Sequence, residues 1–151
     1  MSLEQEVELI RRFPIFSKIA PAKQKLLCFA SERLTYNADE VLFNEGDPAD
    51  ACYVVIDGMI TISVEVKKKL FVLSLMGRNE LLGEIAVFGR GSRTATATAK
   101  TRVEVLRISA EQFRSVIREN PDAAMELVRI LAERLVNTTQ HLSQQSRPSE
   151  D

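Results

Sequence analysis

Between Thr35 and Ile108 the sequence repeats one pattern, in which short runs of β-branched or alternating apolar residues are separated by clusters of turn-forming residues. The turn clusters lie at Asn37–Asp39, Gly46–Asp50, Asp57–Gly58, Lys67–Lys69 and Gly77–Asn79. Short runs of this kind, bounded by turn signals, are typical of strands rather than helices. The segment therefore predicts an antiparallel β-sandwich or barrel, in a chain whose 151 residues are the size of one domain.

One of these turns, Asp57-Gly58, has the two-residue sequence most typical of a type I′ hairpin, because both central residues of that turn need a positive φ. The flanking runs, Cys52–Ile56 and Met59–Val66, have strand character. We therefore expect these two strands to pair with each other across the turn.

Helical patterns flank the β region on both sides. Residues 6 to 34 carry apolar stripes at a spacing of three to four, and Pro14 and Pro21 divide them into separate helices. After the strands, a capping box of Ser109 and Gln112 begins one helix, and Asn120-Pro121 separates it from a longer one. The predicted fold class is thus mainly β with flanking helices, or α+β.

The sequence predicts a single domain over residues 1–145, with the β part at about 35–108 and the last helices at 109–145. The polar segment 146–151 is predicted to be a disordered tail.

The long last helix carries two apolar stripes. A heptad seam consists of Met125, Val128, Ala132, Leu135, Thr139 and Leu142. Beside it, Leu127, Ile130 and Leu131 form a second stripe. We expect the second stripe to pack on the β domain and the seam to pack on the same helix of a second copy, which predicts a homodimer. The alternative is that both stripes are buried within one chain.

Composition and charge exclude several classes of protein. The net charge is −1, so nothing attracts the chain as a whole to a nucleic acid or an anionic membrane. No apolar run approaches the roughly 18 residues of a transmembrane helix, and the acidic N-terminus lacks the features of a signal peptide. We therefore expect a cytoplasmic protein with no membrane or direct nucleic-acid partner.

The sequence also offers few metal ligands. Cys28 and Cys52 lie in apolar stretches, which predicts buried thiols, and His141 is the one histidine. These residues are too few for an iron–sulfur cluster, a haem pocket or a His-rich metal site. We expect no metal and no cofactor.

The segment Leu81 to Ala97, L-L-G-E-I-A-V-F-G-R-G-S-R-T-A-T-A, carries the most specific pattern of the chain. Gly83 followed by a short helical turn would present free backbone N–H groups, which can hold a phosphate. Arg93 would add a planar fork of donors that matches two phosphate oxygens, and the carboxylate of Glu84 suits a sugar hydroxyl. Together they predict a ribose-phosphate site.

Each of these residues also has a plainer interpretation. Arg93 can be a solvated loop charge and Glu84 a surface carboxylate. The predicted strand Thr94–Ala99 alternates threonine with alanine, which gives a hydroxylated face and a small face with room for a flat ligand, or simply an ordinary strand.

The segment resembles the phosphate-binding cassette of cyclic nucleotide-binding domains, whose usual form is F-G-E-L-A-L, a short loop and P-R-x-A-T/S-V. The matching residues are Gly83, Glu84, Ile85, Ala86 and Val87, then Arg93-Thr94-Ala95-Thr96-Ala97. Elsewhere the resemblance rests on Asn44-Glu45-Gly46-Asp47, Tyr53, Gly58, Asn120-Pro121-Asp122 and Ala132-Glu133-Arg134-Leu135, the last two as in the dimerisation helix of catabolite activators. It spans about Val7 to Leu142 and implies an antiparallel β-roll, also described as a double-stranded β-helix or jelly roll.

The resemblance implies a role for each matching residue. The backbone N–H groups of Ile85 and Ala86, with Arg93, would hold the cyclic phosphate. Glu84 and the Gly83 backbone would hold the ribose 2′-hydroxyl. Thr94 would reach the phosphate or the purine edge.

Two threonines on the long helix extend the resemblance. Thr138 and Thr139 match the adjacent hydroxyl residues with which catabolite activators contact adenine, one from each subunit. The alternative is that they are ordinary polar residues near a fraying helix end.

The sequence departs from the family pattern at several places. Ser92 stands where many members have proline, Asn79 where a turn glycine is usual, and Leu81-Leu82 where an aromatic pair is common. These changes concern loop shape more than ligand chemistry. Only nine residues follow Leu142, too few for the DNA-reading winged helix of such activators, so we expect no direct DNA reading by these residues.

Three functions compete. The first is a non-catalytic sensor in which a cyclic nucleotide rearranges the long helix. The second is a dimerising scaffold that binds another effector or none, against which Glu84 and Arg93 argue. The third, an enzyme on a double-stranded β-helix, needs histidine in the β region, and that region has none. For the sensor, Thr94 after Arg93 favours cyclic GMP, whereas Thr138 and Thr139 favour cyclic AMP, which we predict as the ligand.

Overall fold

The structure is a computed structural model that describes residues 2–89 and 91–145, with only the backbone described over 141–145. The helices run over α1 Leu3–Arg11, α2 Pro14–Ser17, α3 Pro21–Ala30, α4 Glu84–Phe88, α5 Ala110–Glu119 and α6 Pro121–Gln145. The strands run over β1 Glu32–Tyr36, β2 Val41–Phe43, β3 Ala51–Asp57, β4 Ile60–Val66, β5 Lys69–Met76, β6 Leu81–Leu82, β7 Thr96–Ala99 and β8 Val103–Ser109.

The strands form two four-stranded antiparallel sheets, ordered β1-β8-β3-β6 and β2-β7-β4-β5. One apolar cluster, which includes Val55, Ile60 and Val105, fills the space between the sheets. A second cluster joins one sheet to the helices and includes Phe16, Leu106 and Phe113. The predicted fold class, an antiparallel β-roll flanked by helices with a long C-terminal helix, is confirmed.

The expected hairpin at Asp57-Gly58 is wrong. Strand β3 pairs with β8 and β6, whereas β4 pairs with β5 and β7 in the other sheet. Only Gly58 has a positive φ, of 95°, so the turn is not type I′ and instead carries the chain from one sheet to the other. Both strands bury apolar residues between the sheets, and this packing, rather than the local turn, decides their partners.

The tight two-residue hairpin lies at Lys67 and Lys68, which join β4 to β5. Both lysines have a positive φ, of 52° and 64°, as a type I′ turn requires. The sequence marks this position as a turn, but it lacks the glycine or asparagine that identifies the turn type.

Gly58 is required for a close approach of two chain segments. A Cβ at this position would lie against the carbonyl oxygen of Arg102 and 2.9 Å from the Cα of Val103. We expect Gly58→Ala to lower the free energy of unfolding by about 2 kcal/mol or more, since strain at positive φ adds to this clash. Urea denaturation measures the change.

Gly46→Ala is the matched control, because Gly46 has a φ of 89° and a Cβ added there would meet nothing within 4 Å. It should cost only the strain, about 1 kcal/mol. Equal losses for the two variants would show that the contact with Arg102 and Val103 is unimportant.

The N-terminal prolines act as helix starts. Pro14 and Pro21 occupy the first positions of α2 and α3, where the missing N–H costs nothing. The helical region ends earlier than predicted, because β1 begins at Glu32 and pairs with β8. At Ser109 the side chain accepts a hydrogen bond from the Gln112 backbone N–H at 3.2 Å, so the predicted helix start is confirmed.

The two stripes of α6 have different surroundings. Leu127 is buried, and Ile130 and Leu131 pack against the core cluster on the helix side. The seam faces away from this core, and its side chains at Met125 and Leu135 are 65% and 68% exposed. Leu142 and the tail 146–151 lie outside the residues whose side chains are described.

Both cysteines are buried free thiols, as predicted. Burial raises the pKa of Cys28 to about 11 and raises that of Cys52 further, so neither is a ready nucleophile. Across the described part of the chain, no helix is both long and apolar enough to cross a membrane.

Candidate functional site

Six of the eight predicted site residues line one cavity. These are Gly83, Glu84, Ile85, Ala86, Arg93 and Thr94. Apolar side chains of Phe43, Ile62 and Met76 also line the cavity, as does Arg134 of α6. The sequence pattern thus collects residues that the fold brings to one place.

The helix α4 begins at a backbone position that suits glycine. Gly83 precedes its first turn with φ 90° and ψ 0°, in the left-handed region. The first N–H groups of a helix have no intrahelical acceptor, so this turn places the amides of Ile85 and Ala86 at the cavity without a helical partner.

Arg93 is not the solvated loop charge of the plainer interpretation, since the residue is only 3% exposed. Its Nη1 donates to the carbonyl oxygen of Gly83 at 3.1 Å, and its Nη2 donates to that of Ala51 at 2.5 Å. The roll closes around the side chain because these carbonyls offer acceptors inside the protein. The same contacts fix the guanidinium at the start of α4.

Aromatic and acidic groups complete the surroundings of Arg93. Its guanidinium carbon lies 4.1 Å from the ring centre of Phe43 and 5.8 Å from that of Tyr53, both cation–π distances. The carboxylate of Asp50 is 3.6 Å from Nη2 and is itself exposed. Burial lowers the pKa of Arg93, and the neighbouring Tyr53 and Asp50 oppose that shift.

The loop that carries Arg93 is fixed to the Asn44–Asp47 turn by backbone pairs. The N–H of Gly46 donates to the Arg93 carbonyl, and the N–H of Arg93 donates to the Asp47 carbonyl, each at 2.8 Å. The Asn44–Asp47 turn, which is part of the family resemblance, therefore holds the loop of Arg93 in place beside the site.

Glu84 is only 1% exposed and forms an ion pair with Arg134 of α6. Arg134 also donates to the Leu81 carbonyl at 2.6 Å. Burial lowers the pKa of Arg134, although the carboxylate of Glu80 opposes this effect. The ion pair connects the long helix directly to the cavity.

Sequence reasoning missed Arg134 as a site residue. It lies within a motif that was singled out, and it comes one helical turn before Thr138, so it falls on the same side of α6. That spacing is the signal that could have identified it.

Two buried polar atoms of the cavity have no hydrogen-bond partner among the described residues: Oε2 of Glu84 and Nε of Arg93. Buried polar groups are nearly always paired, so such atoms need an explanation. One is an acceptor and the other a donor, and both belong to residues that line the same cavity.

The predicted strand Thr94–Ala99 begins later in the structure, where β7 starts at Thr96, and it fulfils only part of its expected role. Thr96 and Thr98 are half-buried while Ala95, Ala97 and Ala99 are buried, so the alternation of the two faces is confirmed. Of these three alanines, only Ala95 lines the cavity, and the others pack inside the roll. The small face therefore serves the core more than a flat ligand.

Thr138 and Thr139 do not line the cavity of their own chain. Both are exposed, and the Thr138 hydroxyl donates to the Arg134 carbonyl at 2.8 Å. Residues 2–89 and 91–140, whose side chains the structure describes, contain no group of three or more side chains that could hold a metal ion.

Comparison with known proteins agrees with this arrangement. The model of the family described as "Cyclic nucleotide-binding domain" matches residues 33–120. A CRP-like cAMP-activated global transcriptional regulator of Mycobacterium tuberculosis is 29% identical over 137 residues, which cover 90% of this chain and 61% of that protein. The chain thus spans less than two thirds of this relative's length.

Solved structures share the architecture. The Thermus thermophilus catabolite activator protein is 30% identical, with a TM-score of 0.74 over 88% of this chain and 63% of that one. The sensor domain of the transcriptional regulator DNR from Pseudomonas aeruginosa matches with a TM-score of 0.80 over 99% and 97% of the two chains. At 20% identity, the second likeness concerns the fold alone.

Proposed function

This chain belongs to the cyclic nucleotide-binding domain family, and on that basis we propose that it is a non-catalytic sensor module whose ligand is cyclic AMP. Occupancy of the cavity would be passed on through α6 to a regulatory output. The relative from Mycobacterium tuberculosis named above is a transcriptional regulator, which favours an output of that kind.

The unpaired Glu84 Oε2 and Arg93 Nε are the observation that carries this proposal. The Nε–H of Arg93 is left for a phosphate oxygen, while Nη1 and Nη2 each donate to a backbone carbonyl. Glu84 keeps one oxygen for a sugar hydroxyl while Arg134 holds the other. A ribose joined to a phosphate supplies both missing partners, and the Ile85 and Ala86 amides would add donors to the phosphate.

The size of the cavity supports a relay through α6. Its volume is about 80 Å³, below the roughly 300–1,000 Å³ of ordinary ligand pockets, so a nucleotide must widen it. Arg134 lines the cavity and is the contact between α6 and Glu84. If the entering ligand moves Arg134, it would also shift the position of α6. The ligand would then make different contacts with the two positions of α6, and this difference is what can favour one of them.

A homodimer through the α6 seam is the second part of the proposal. The exposed apolar side chains of Met125, Val128 and Leu135 form a stripe that would be buried against the same stripe of a second copy. Thr139 lies on this seam, so dimerisation would place a hydroxyl group from each subunit near the base. Thr94, which lines the cavity next to Arg93, leaves cyclic GMP as the competing ligand.

Thr139→Ala is expected to weaken binding of cyclic AMP by about three- to tenfold and to change cyclic GMP binding less, because a lost hydrogen bond costs about 1 kcal/mol. Calorimetric titration with both nucleotides measures the difference. Glu133→Ala, an exposed change on the same helix, serves as the control. Equal losses for both nucleotides would remove Thr139 from base recognition.

Isothermal titration of the purified chain with cyclic AMP, cyclic GMP and AMP, together with its mass in solution, tests the proposed function. We expect a dimer that prefers cyclic AMP and discriminates against AMP. Equal binding of AMP would mean that the cavity does not select the cyclic phosphate. A dimer that binds none of the three would instead support the dimerising scaffold, which is favoured by the pairing of Glu84 with Arg134 in a small cavity.

A further inference from the structure

The helix α4 is a single turn, and guanidinium groups from elsewhere in the chain hold both of its ends. Arg93 binds the Gly83 carbonyl at the beginning. At the other end, Arg114 of α5 donates to the Val87 carbonyl from Nε at 3.3 Å and from Nη2 at 3.1 Å. The first contact belongs to the site described above, whereas nothing in the sequence pattern points to the second.

We propose that Arg114 is a positioning residue that fixes the C-terminal end of α4 and thereby orients the amides of Ile85 and Ala86 for a phosphate. The proposal rests on the proposed function for its ligand. It assigns Arg114 no contact with that ligand, and it makes α5 the support of the phosphate-binding turn.

The carbonyls at the end of α4 differ in where their hydrogen-bond donors come from. The Ile85 carbonyl accepts from the Gly89 N–H at 2.7 Å, and the Ala86 carbonyl accepts from the Gly91 N–H at 3.2 Å. These bonds lie within α4 and the loop that follows it. The bond from Arg114 to Val87 instead joins this end of α4 to another element. A helix of one turn has little stability of its own, so such an external bond decides where it sits.

Charge and packing act in the same direction. The C-terminal end of a helix carries partial negative charge on its carbonyls, which a guanidinium stabilises. Next to Arg114 on α5, the ring of the buried Phe113 lies 5.6 Å from that of Phe88, the last residue of α4. Both contacts attach the same end of α4 to α5, and they come from consecutive residues of that helix.

A fixed α4 holds the amides of Ile85 and Ala86 in the binding orientation before the ligand arrives. If α4 samples other positions, only the fraction of molecules with aligned amides binds phosphate at full strength, and the apparent affinity falls by that fraction. Loss of Arg114 should therefore weaken nucleotide binding without removing any atom that touches the ligand.

The test compares Arg114→Met, which keeps the length of the side chain, with Arg114→Lys and with Arg118→Met. Arg118 is an exposed arginine one turn further along α5, so its variant is the matched control. We expect Arg114→Met to weaken cyclic AMP binding about tenfold, the effect of losing a charged hydrogen bond, with partial recovery in Arg114→Lys and no change in the control. Unchanged affinity in Arg114→Met would overturn the proposal.

Hydrogen exchange on the ligand-free variants provides a readout that general destabilisation would not reproduce. In Arg114→Met, protection should fall at the amides of Val87 and Gly89 but not at Val54 or Val105 in the sheet. An equal fall at all four amides would show that Arg114 only stabilises the fold, and would overturn the proposal. If the unmodified chain bound no cyclic nucleotide, the proposed function would fail, while the exchange comparison would still decide whether Arg114 positions α4.

Discussion

Arg93→Met is expected to lower the affinity for cyclic AMP by about 100-fold or more, because it removes the charge that pairs with the phosphate in a buried site. Nε of Arg93 is the unpaired donor of the cavity. Among the described residues, the other arginine or lysine that lines the cavity is Arg134, which is paired with Glu84. Calorimetric titration measures the loss.

Arg93→Met should also lower the stability of the fold, whereas the loss of an exposed charge would not. The side chain is buried and holds the carbonyls of Gly83 and Ala51, so its removal leaves both acceptors without that donor. We expect a loss of about 1–3 kcal/mol in the free energy of unfolding. Methionine limits the loss because it retains an apolar contact with the ring of Phe43.

Arg107→Met is the matched control for Arg93→Met. Arg107 pairs with the same carboxylate, that of Asp50, at 3.0 Å, but it does not line the cavity. The control should bind cyclic AMP as the unmodified chain does. Normal binding by folded Arg93→Met would refute the assignment of this guanidinium to the phosphate.

Glu84→Gln is expected to lower the affinity for cyclic AMP by about 10- to 100-fold, since a hydrogen bond to a buried charge is worth about 1.5–3 kcal/mol. The carboxylate is the acceptor proposed for the ribose 2′-hydroxyl. The ligand 2′-deoxy-cyclic AMP lacks that hydroxyl group, so it should bind the unmodified chain weakly. Its affinity should be nearly the same for the Glu84→Gln variant as for the unmodified chain.

The two proteins and two ligands form a double-mutant cycle that isolates this one contact. A coupling energy near zero, with both ligands losing affinity equally, would mean that Glu84 acts only through its ion pair with Arg134. Arg134→Met then separates the two effects, because it breaks the ion pair while leaving the carboxylate in place.

Much of the site could be predicted because its requirements are local. The left-handed backbone at Gly83 and the short helix after it depend on a few adjacent residues, as do the alternating faces of β7. At Asn79, where a turn glycine is usual in the family, the φ of 70° confirms that the position needs a left-handed turn, and asparagine tolerates it.

Predictions failed where distant residues decide the outcome. The residues Asp57-Gly58 do form a turn, but the sheet to which each flanking strand belongs depends on pairings with β8 and β7, about 33 to 58 residues away in the sequence. Arginine is a residue type that is usually exposed, so its type alone suggests that Arg93 lies at the surface. In the structure, carbonyls and rings from β2, β3 and the start of α4 surround its side chain.

The sequence by itself determined the helix starts at Pro14 and Pro21, the β character of the middle of the chain and the two stripes of α6, because periodicity and turn chemistry act within a few residues. Only the tertiary structure decided the partners of the strands, the burial of Arg93 and the contacts of Arg134 and Arg114. The reason is that neighbouring residues in the sequence do not determine where a long charged side chain lies. Its hydrogen-bond acceptors come from distant segments that meet only when the two sheets pack on each other.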